Sequence, residues 1–228
     1  MTIVVDTAQQ RKFRDLLKRI PEPASIRFGN TVMEAASREL PMPHVARIIS
    51  LNQAHATLLH CCNQLARFQQ EAPRQPSTAP SSPVPDESRA NERRRFRQWL
   101  ARWDGAFTAF LSAARTSMTS EDLSQSRVLK ANQIACNIVA SDARPGTLEF
   151  DAYEQDFQAI IDLATAVLQL RQRTLGSPTQ SAGVLSPEVS PVTSGLDVRD
   201  PLCILLATCR KQLLRTRAND LLLRFFPG

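Results

Sequence analysis

The sequence predicts an all-α fold: a single irregular helical domain of about seven helices carrying two disordered insertions. Three observations predict it. Apolar residues recur at helical spacing along several stretches that open on capping residues. Only 7 of the 228 residues are Gly, and β-branched residues do not alternate with polar ones as a half-buried strand requires. Two stretches rich in Pro, Ser and Gly separate the periodic segments. A chain of 228 residues with 43% apolar content can bury a sizeable core, which excludes wholesale disorder.

The elements follow in order. Residues 8–20 form a short amphipathic helix, with Phe13, Leu16, Leu17 and Ile20 apolar and the run "PEP" stopping it. Residues 21–47 are irregular, with a short helical piece around Thr31–Arg38. Ser50, with Gln53 three residues on, is a capping box opening a helix over 51–70. Its apolar line is Leu51, Ala54, Leu58, Cys62 and Leu65. Residues 72–88, "APRQPSTAPSSPVPDES", read as a solvated linker whose ends lie close together. The clearest helix covers 89–115. There Phe96, Trp99, Leu100, Trp103, Phe107, Phe110, Leu111 and Ala114 share an arc about 120° wide, the stripe of a helix packed on a core.

The run "TSED" at 119–122 opens the next helix, with acids placed where the positive end of the macrodipole favours them. Leu123, Val128, Ala131, Ile134, Ala135, Ile138 and Val139 cover a wider arc, so this helix is expected between neighbours. Asp151 with Glu154 resembles a further capping box. Beyond it Tyr153, Phe157, Ile160, Ile161, Ala164 and Leu168 share a face while Leu163 and Leu170 lie off it. Residues 174–198 are a second linker. Asp200 as N-cap and Pro201 as first helical residue start the next helix, with Leu202, Leu205, Leu206, Cys209 and Leu213 in phase. A bend near 210–213 then starts a fresh stripe of Leu214, Ala218, Leu221 and Phe225. The residues expected to carry the core are Trp99, Trp103, Phe107, Phe157, Ile160, Leu205 and Leu222.

Charge and cysteine content narrow the function classes. The net charge is +6. A basic balance suits nuclear or nucleic-acid-associated proteins, and it also suits ordinary soluble surfaces. The five Cys are scattered, and most fall in apolar helical patterns, as reduced thiols of an intracellular protein do. No basic region precedes an apolar stretch of signal-peptide length. The longest apolar runs fall well short of the ~20 residues of a membrane span, so no membrane association is expected.

His55, His60, Cys61 and Cys62 crowd one helix, but on the wheel His60 points nearly opposite the cysteines. Their donors do not converge, so packed Cys and surface His are expected and no metal site. No GxSxG, P-loop or GxGxxG occurs, and the three His lie within residues 44–60. No catalytic residue and no cofactor are expected. The sharpest polar feature is "NERRRFRQWLARW". Arg93, Arg94, Arg95 and Arg97 form a basic patch that would serve nuclear localisation or contact a DNA backbone. Arg94, Arg95, Arg97 and Arg102 lie opposite Trp99 and Trp103, as on the solvated face of any amphipathic helix, which is the simpler reading. Arg210, Lys211, Arg215, Arg217 and Arg224 are read the same way, with Arg210 and Lys211 complementing the negative end of the helix before the bend.

Four stretches in order, "ISLNQAHATLLHCCNQLARF", "FRQWLARWDGAFTAFL", "EFDAYEQDFQAIIDLATAVL" and "DPLCILLATCRKQLLRTRANDLLLRF", together resemble the C-terminal regulatory region of fungal Zn2Cys6 binuclear zinc cluster transcription factors. The resemblance covers most of residues 45–226. It implies a non-enzymatic, nuclear regulatory domain acting through protein contacts, with service to a biosynthetic gene cluster and a homo-oligomer as further options. The six-Cys zinc module of that family has no counterpart here. The Cys-Arg corner runs on as "CRKQ" where the family has an Asp-Pro turn, and the helix ends in "FFPG". The chain therefore reads as a regulatory domain without its DNA reader, shortened at both ends and binding DNA only weakly or indirectly. A helical scaffold or pathway-accessory protein of the cytoplasm is the alternative.

Overall fold

A computed structural model describes residues 42–70, 85–141, 148–175 and 195–226. The expected helix at 8–20, the piece around 31–38 and the middle of both linkers lie outside these residues. Within them the fold is all-α, with six α-helices and one 3-10 turn. None of the described helices is long and apolar enough to cross a membrane.

Helix α1 spans Leu51–Gln70. The Ser50 hydroxyl accepts from the Gln53 amide at 3.1 Å, satisfying one orphan donor of the first turn. The Gln53 side chain reaches back one residue further than a capping box does and accepts from the Ile49 amide at 2.9 Å. Ala54, Leu58, Cys61 and Leu65 form the buried line. Cys61, not Cys62, sits on it, and Cys62 is half-buried.

Helix α2 spans Pro85–Ala114, so the first linker is shorter than its composition predicts. Proline is tolerated in a first helical turn because the amide it lacks has no intrahelical partner there. The expected stripe is buried at Phe96, Trp99, Leu100, Trp103 and Phe107, with Phe110 and Leu111 packed on its end.

Helix α3 spans Ser120–Val139. Thr119 caps it reciprocally with Asp122: the Asp122 amide donates to Thr119 Oγ1 at 3.1 Å, and the Thr119 amide donates to Asp122 Oδ2 at 2.9 Å. A 3-10 turn at Leu148–Tyr153 leads into α4, Glu154–Leu175. Asp151 lies inside that turn, so it does not cap α4 as the sequence predicts. Helix α5 spans Arg199–Thr208 and α6 spans Gln212–Phe225, with the bend at 209–211 where the phase break places it. The start of α5 is two residues earlier than the Asp-Pro pair predicts. Val198 takes the cap position, and Asp200 and Pro201 fall within the first turn. Leu213, expected in phase with the core, is 73% exposed, because the bend turns its side chain outward.

Two hydrophobic cores meet at α3. One holds Phe157, Ile160, Ile161 and Leu168 of α4 with Leu202 and Leu205 of α5 and Leu214 and Ala218 of α6. The other holds Leu58 and Leu65 of α1 with Phe96, Leu100, Trp103 and Phe107 of α2. Helix α3 gives Val128, Ile134 and Ile138 to the first and Leu129 and Cys136 to the second. This is the wide arc read from the sequence, except that Leu123 in the first turn is exposed. Each fully buried Leu, Ile or Phe contributes about 2 kcal/mol of apolar transfer.

Polar contacts fix how the helices lie. Arg89 sits over Phe68 and Trp103 bonds to Thr57, so α1 and α2 run antiparallel. The Lys130–Asp104 ion pair joins α2 to α3. Lys211–Glu154 at 3.2 Å, Arg217–Asp162 at 3.4 Å and the Arg224–Gln172 hydrogen bond lay α6 parallel to α4. The segment entering α5 crosses α1 closely. Gly195 has φ of 148°, a conformation that favours glycine, and a Cβ there would also crowd Leu59 Cδ2 at 3.0 Å. Next to it, Asn132 of α3, 4% exposed, donates to the carbonyls of Val128 and Asp197. Arg171 of α4 holds the Asp197 carboxylate at 3.0 Å.

Candidate functional site

The sequence directs attention to the basic run of α2. The buried stripe orients that run. Trp99 and Trp103 are 4% and 0% exposed, and each indole N–H finds a partner, as buried indoles require. Trp99 Nε1 donates to the Pro43 carbonyl at 2.7 Å, which pins residues 42–45 against α2. Trp103 Nε1 donates to Thr57 Oγ1 at 3.0 Å and its ring stacks on Phe107 at 4.6 Å. With both rings turned inward, neither offers a face for base stacking.

The four arginines of the predicted patch are not equivalent. Successive helical residues turn by about 100°, so Arg93, Arg94, Arg95 and Arg97 spread over roughly 200° of the helix surface. Arg94 and Arg95 are exposed, whereas Arg93 and Arg97 are half-buried along one edge of the apolar stripe. Arg95 pairs with Glu92 at 2.9 Å. Arg102, two turns on from Arg95, extends the exposed side of the patch.

This side borders a groove of about 350 Å³ between residues 42–45 and α2. Met42, Val45 and Trp99 line it with apolar surface, and His44, Arg95 and Arg102 supply the basic groups. It is an open surface feature that can hold an anionic or acidic-apolar group against a charged rim. Sequence reasoning reached Arg95 and Arg102 but not residues 42–45, because the Trp99–Pro43 contact links positions 56 apart.

The second basic run fares differently. Lys211 and Arg217 are held by carboxylates of α4, and Arg224 by the Gln172 amide. Lys211 thus answers Glu154, which raises its pKa above 10.5, more directly than it answers the end of α5.

The histidine and cysteine cluster of α1 does not converge on a point. Among the described residues no group of three His, Cys, Asp or Glu is placed to hold a metal ion. His55 and His60 are half-buried, not on the surface as the sequence predicts, and their Nε2 atoms are buried. Burial lowers the pKa of His55 below 6.5. Cys61 is fully buried, and burial pushes its thiol up. Cys62 instead meets Cys136 of α3, with the two sulfurs 3.2 Å apart.

No family model, no curated protein and no solved structure matches this chain.

Proposed function

We propose that this chain is a non-enzymatic, transcription-regulator-like helical module that acts in the nucleus through protein–protein contacts. In this reading it resembles the regulatory region of fungal zinc cluster transcription factors and serves a biosynthetic pathway or gene cluster. The observation that carries the reading is how the four motif stretches fall on the fold. They correspond to α1, to α2, to the 3-10 turn with α4, and to α5 with α6; α1, α2, α4 and α5 pack on α3, and α6 packs on α4 and α5. The exposed side of the α2 arginine patch supports it further. Arg95 and Arg102 stand beside an apolar groove, a pairing that suits an acidic, partly apolar protein segment.

Two experiments test this reading. A fluorescent fusion of the full chain is expected in the nucleus, and replacing Arg93, Arg94, Arg95 and Arg97 together by Ala is expected to release it to the cytoplasm. The chain fused to an unrelated DNA-binding module is expected to change transcription of a reporter. A wild-type fusion confined to the cytosol, with no reporter effect, would overturn the proposal in favour of a cytoplasmic scaffold. On its own the chain should bind DNA weakly, with affinity falling steeply as salt rises. Tight, sequence-selective binding at physiological salt would contradict that.

A further inference from the structure

We propose that Cys62 and Cys136 are a redox modification site: a thiol pair that closes reversibly into a disulfide and staples α1 to α3. The two sulfurs lie 3.2 Å apart although the residues are 74 positions apart in sequence. A disulfide needs about 2.0 Å, so closure requires only about 1.2 Å of approach. Small side-chain rotations within an already packed interface supply this, without moving the helices apart. The two helices are also joined nearby, where Gln69 Nε2 donates to the Val139 carbonyl at 3.2 Å. That contact holds the facing turns in register. Cys136 is 7% exposed and sits in the core shared by α1, α2 and α3. Cys62 is half-buried at its edge, the less enclosed residue of the pair, although its thiol is itself shielded. Its neighbour Cys61 is fully buried on the core line of α1.

The oxidant this site admits is a small peroxide. Cys62 sulfur attacks one peroxide oxygen, the O–O bond breaks, and the departing hydroxide takes up the thiol proton as water. This leaves a sulfenic acid on Cys62. Cys136 sulfur then attacks that sulfur. The S–S bond forms, the S–O bond breaks, and the hydroxyl leaves as a second water with the Cys136 proton. Two thiols lose two electrons and the peroxide gains them. The Cys136 contact and burial hold the Cys62 thiol well above its usual pKa. Its thiolate is therefore scarce, and the site responds to sustained oxidant more than to a brief pulse. Closure would rigidify the half of the fold that presents the α2 arginines.

The test uses the full chain, reduced, then exposed to hydrogen peroxide, alkylated, digested without reductant and mapped by mass spectrometry. Cys61 and Cys62 share the peptide between Arg47 and Arg67, so variants assign the bond. A crosslink from that peptide to the one bearing Cys136 is expected, lost on adding dithiothreitol. Oxidised protein is expected to melt about 10 °C higher than reduced protein, the effect of closing a long loop. Cys61→Ser should keep both the crosslink and the shift, and Cys62→Ser should lose both. Cys136→Ser should also lose both, with Cys136→Ala in its place if the serine variant does not fold. No crosslink in the oxidised wild type, with Cys62 recovered as free thiol or sulfinic acid, would overturn the proposal. So would a crosslink that survives Cys62→Ser.

Discussion

Replacing Thr57 by Val removes one hydroxyl from the α1–α2 interface at almost constant volume. In the native fold the Trp103 N–H donates to that hydroxyl at 3.0 Å, and the hydroxyl donates on to the Gln53 carbonyl at 2.8 Å. Trp103 is fully buried, so water cannot replace the lost acceptor. An orphaned indole N–H in such a place costs about 1 to 3 kcal/mol. Trp103→Phe removes the same donor together with part of the ring, at about 2 kcal/mol including the small cavity left behind. In the double variant no N–H is stranded. The combined loss should therefore fall short of the sum by about 1 kcal/mol, as for residues in direct contact. Urea unfolding followed by far-ultraviolet circular dichroism measures all four proteins without depending on tryptophan emission. Additivity within about 0.3 kcal/mol, or a Thr57→Val variant as stable as wild type, would refute the buried hydrogen bond and the helix register it fixes.

Hydrogen bonds from Thr119 hold the Asp122 carboxyl below 3.8. Its contribution is therefore complete above that value and is lost as pH falls through the lower folded pKa. Asp122→Asn should flatten the acid limb of a melting-temperature profile below about pH 4, and an unchanged limb would count against the capping box. Asp156 has the opposite sign: burial raises its pKa above 3.8 despite the opposing charge of Lys130. Its burial opposes folding increasingly as pH rises through the folded pKa, so Asp156→Asn should melt higher than wild type at pH 7 and close to it at pH 3. Leu129→Ala, emptying a fully buried site on α3, should cost about 3 kcal/mol. Because α3 serves both cores, tryptophan fluorescence, which reports only the α1–α2 side, and circular dichroism should still give one coincident transition, and separated transitions would show two independent units.

The sequence made local features legible wherever the signal and its cause lie within one or two turns. Ser50 and Thr119 cap the helices they were expected to cap. The narrow arc of α2 and the wide arc of α3 correctly separated a helix with one buried face from one with two. The break in phase expected near 210–213 marked the bend, although Leu213 was counted with the stripe before it and lies beyond it, exposed. The misses share a different cause. At Pro85 composition spoke for a linker, but proline and acids also suit a first helical turn. At Asp151 and Asp200 a capping residue was present, but the chain took a 3-10 turn or began the helix earlier. Cap chemistry permits a helix start at such a position without requiring one.

The two basic runs show why charge alone could not locate a site. Both look alike in sequence, with arginines spaced along an amphipathic helix. In the fold, Lys211 and Arg217 meet Glu154 and Asp162, more than fifty residues away. Exposed pairs of this kind contribute under about 1 kcal/mol each, yet three such contacts along α6 set its direction against α4 and leave those groups turned toward the protein. In the α2 run Arg95 pairs locally with Glu92, and the burial of Trp99 and Trp103 turns the opposite side of the helix outward. Which run is available to a partner is thus decided by distant carboxylates and by the anchoring of residues 42–45 through Trp99. The same holds for the thiols: Cys61 and Cys62 are neighbours in sequence, but only Cys62 faces another sulfur, because α3 packs across α1 at that turn. Periodicity can say which face of a helix is covered, while the identity of what covers it depends on contacts between residues far apart in the chain.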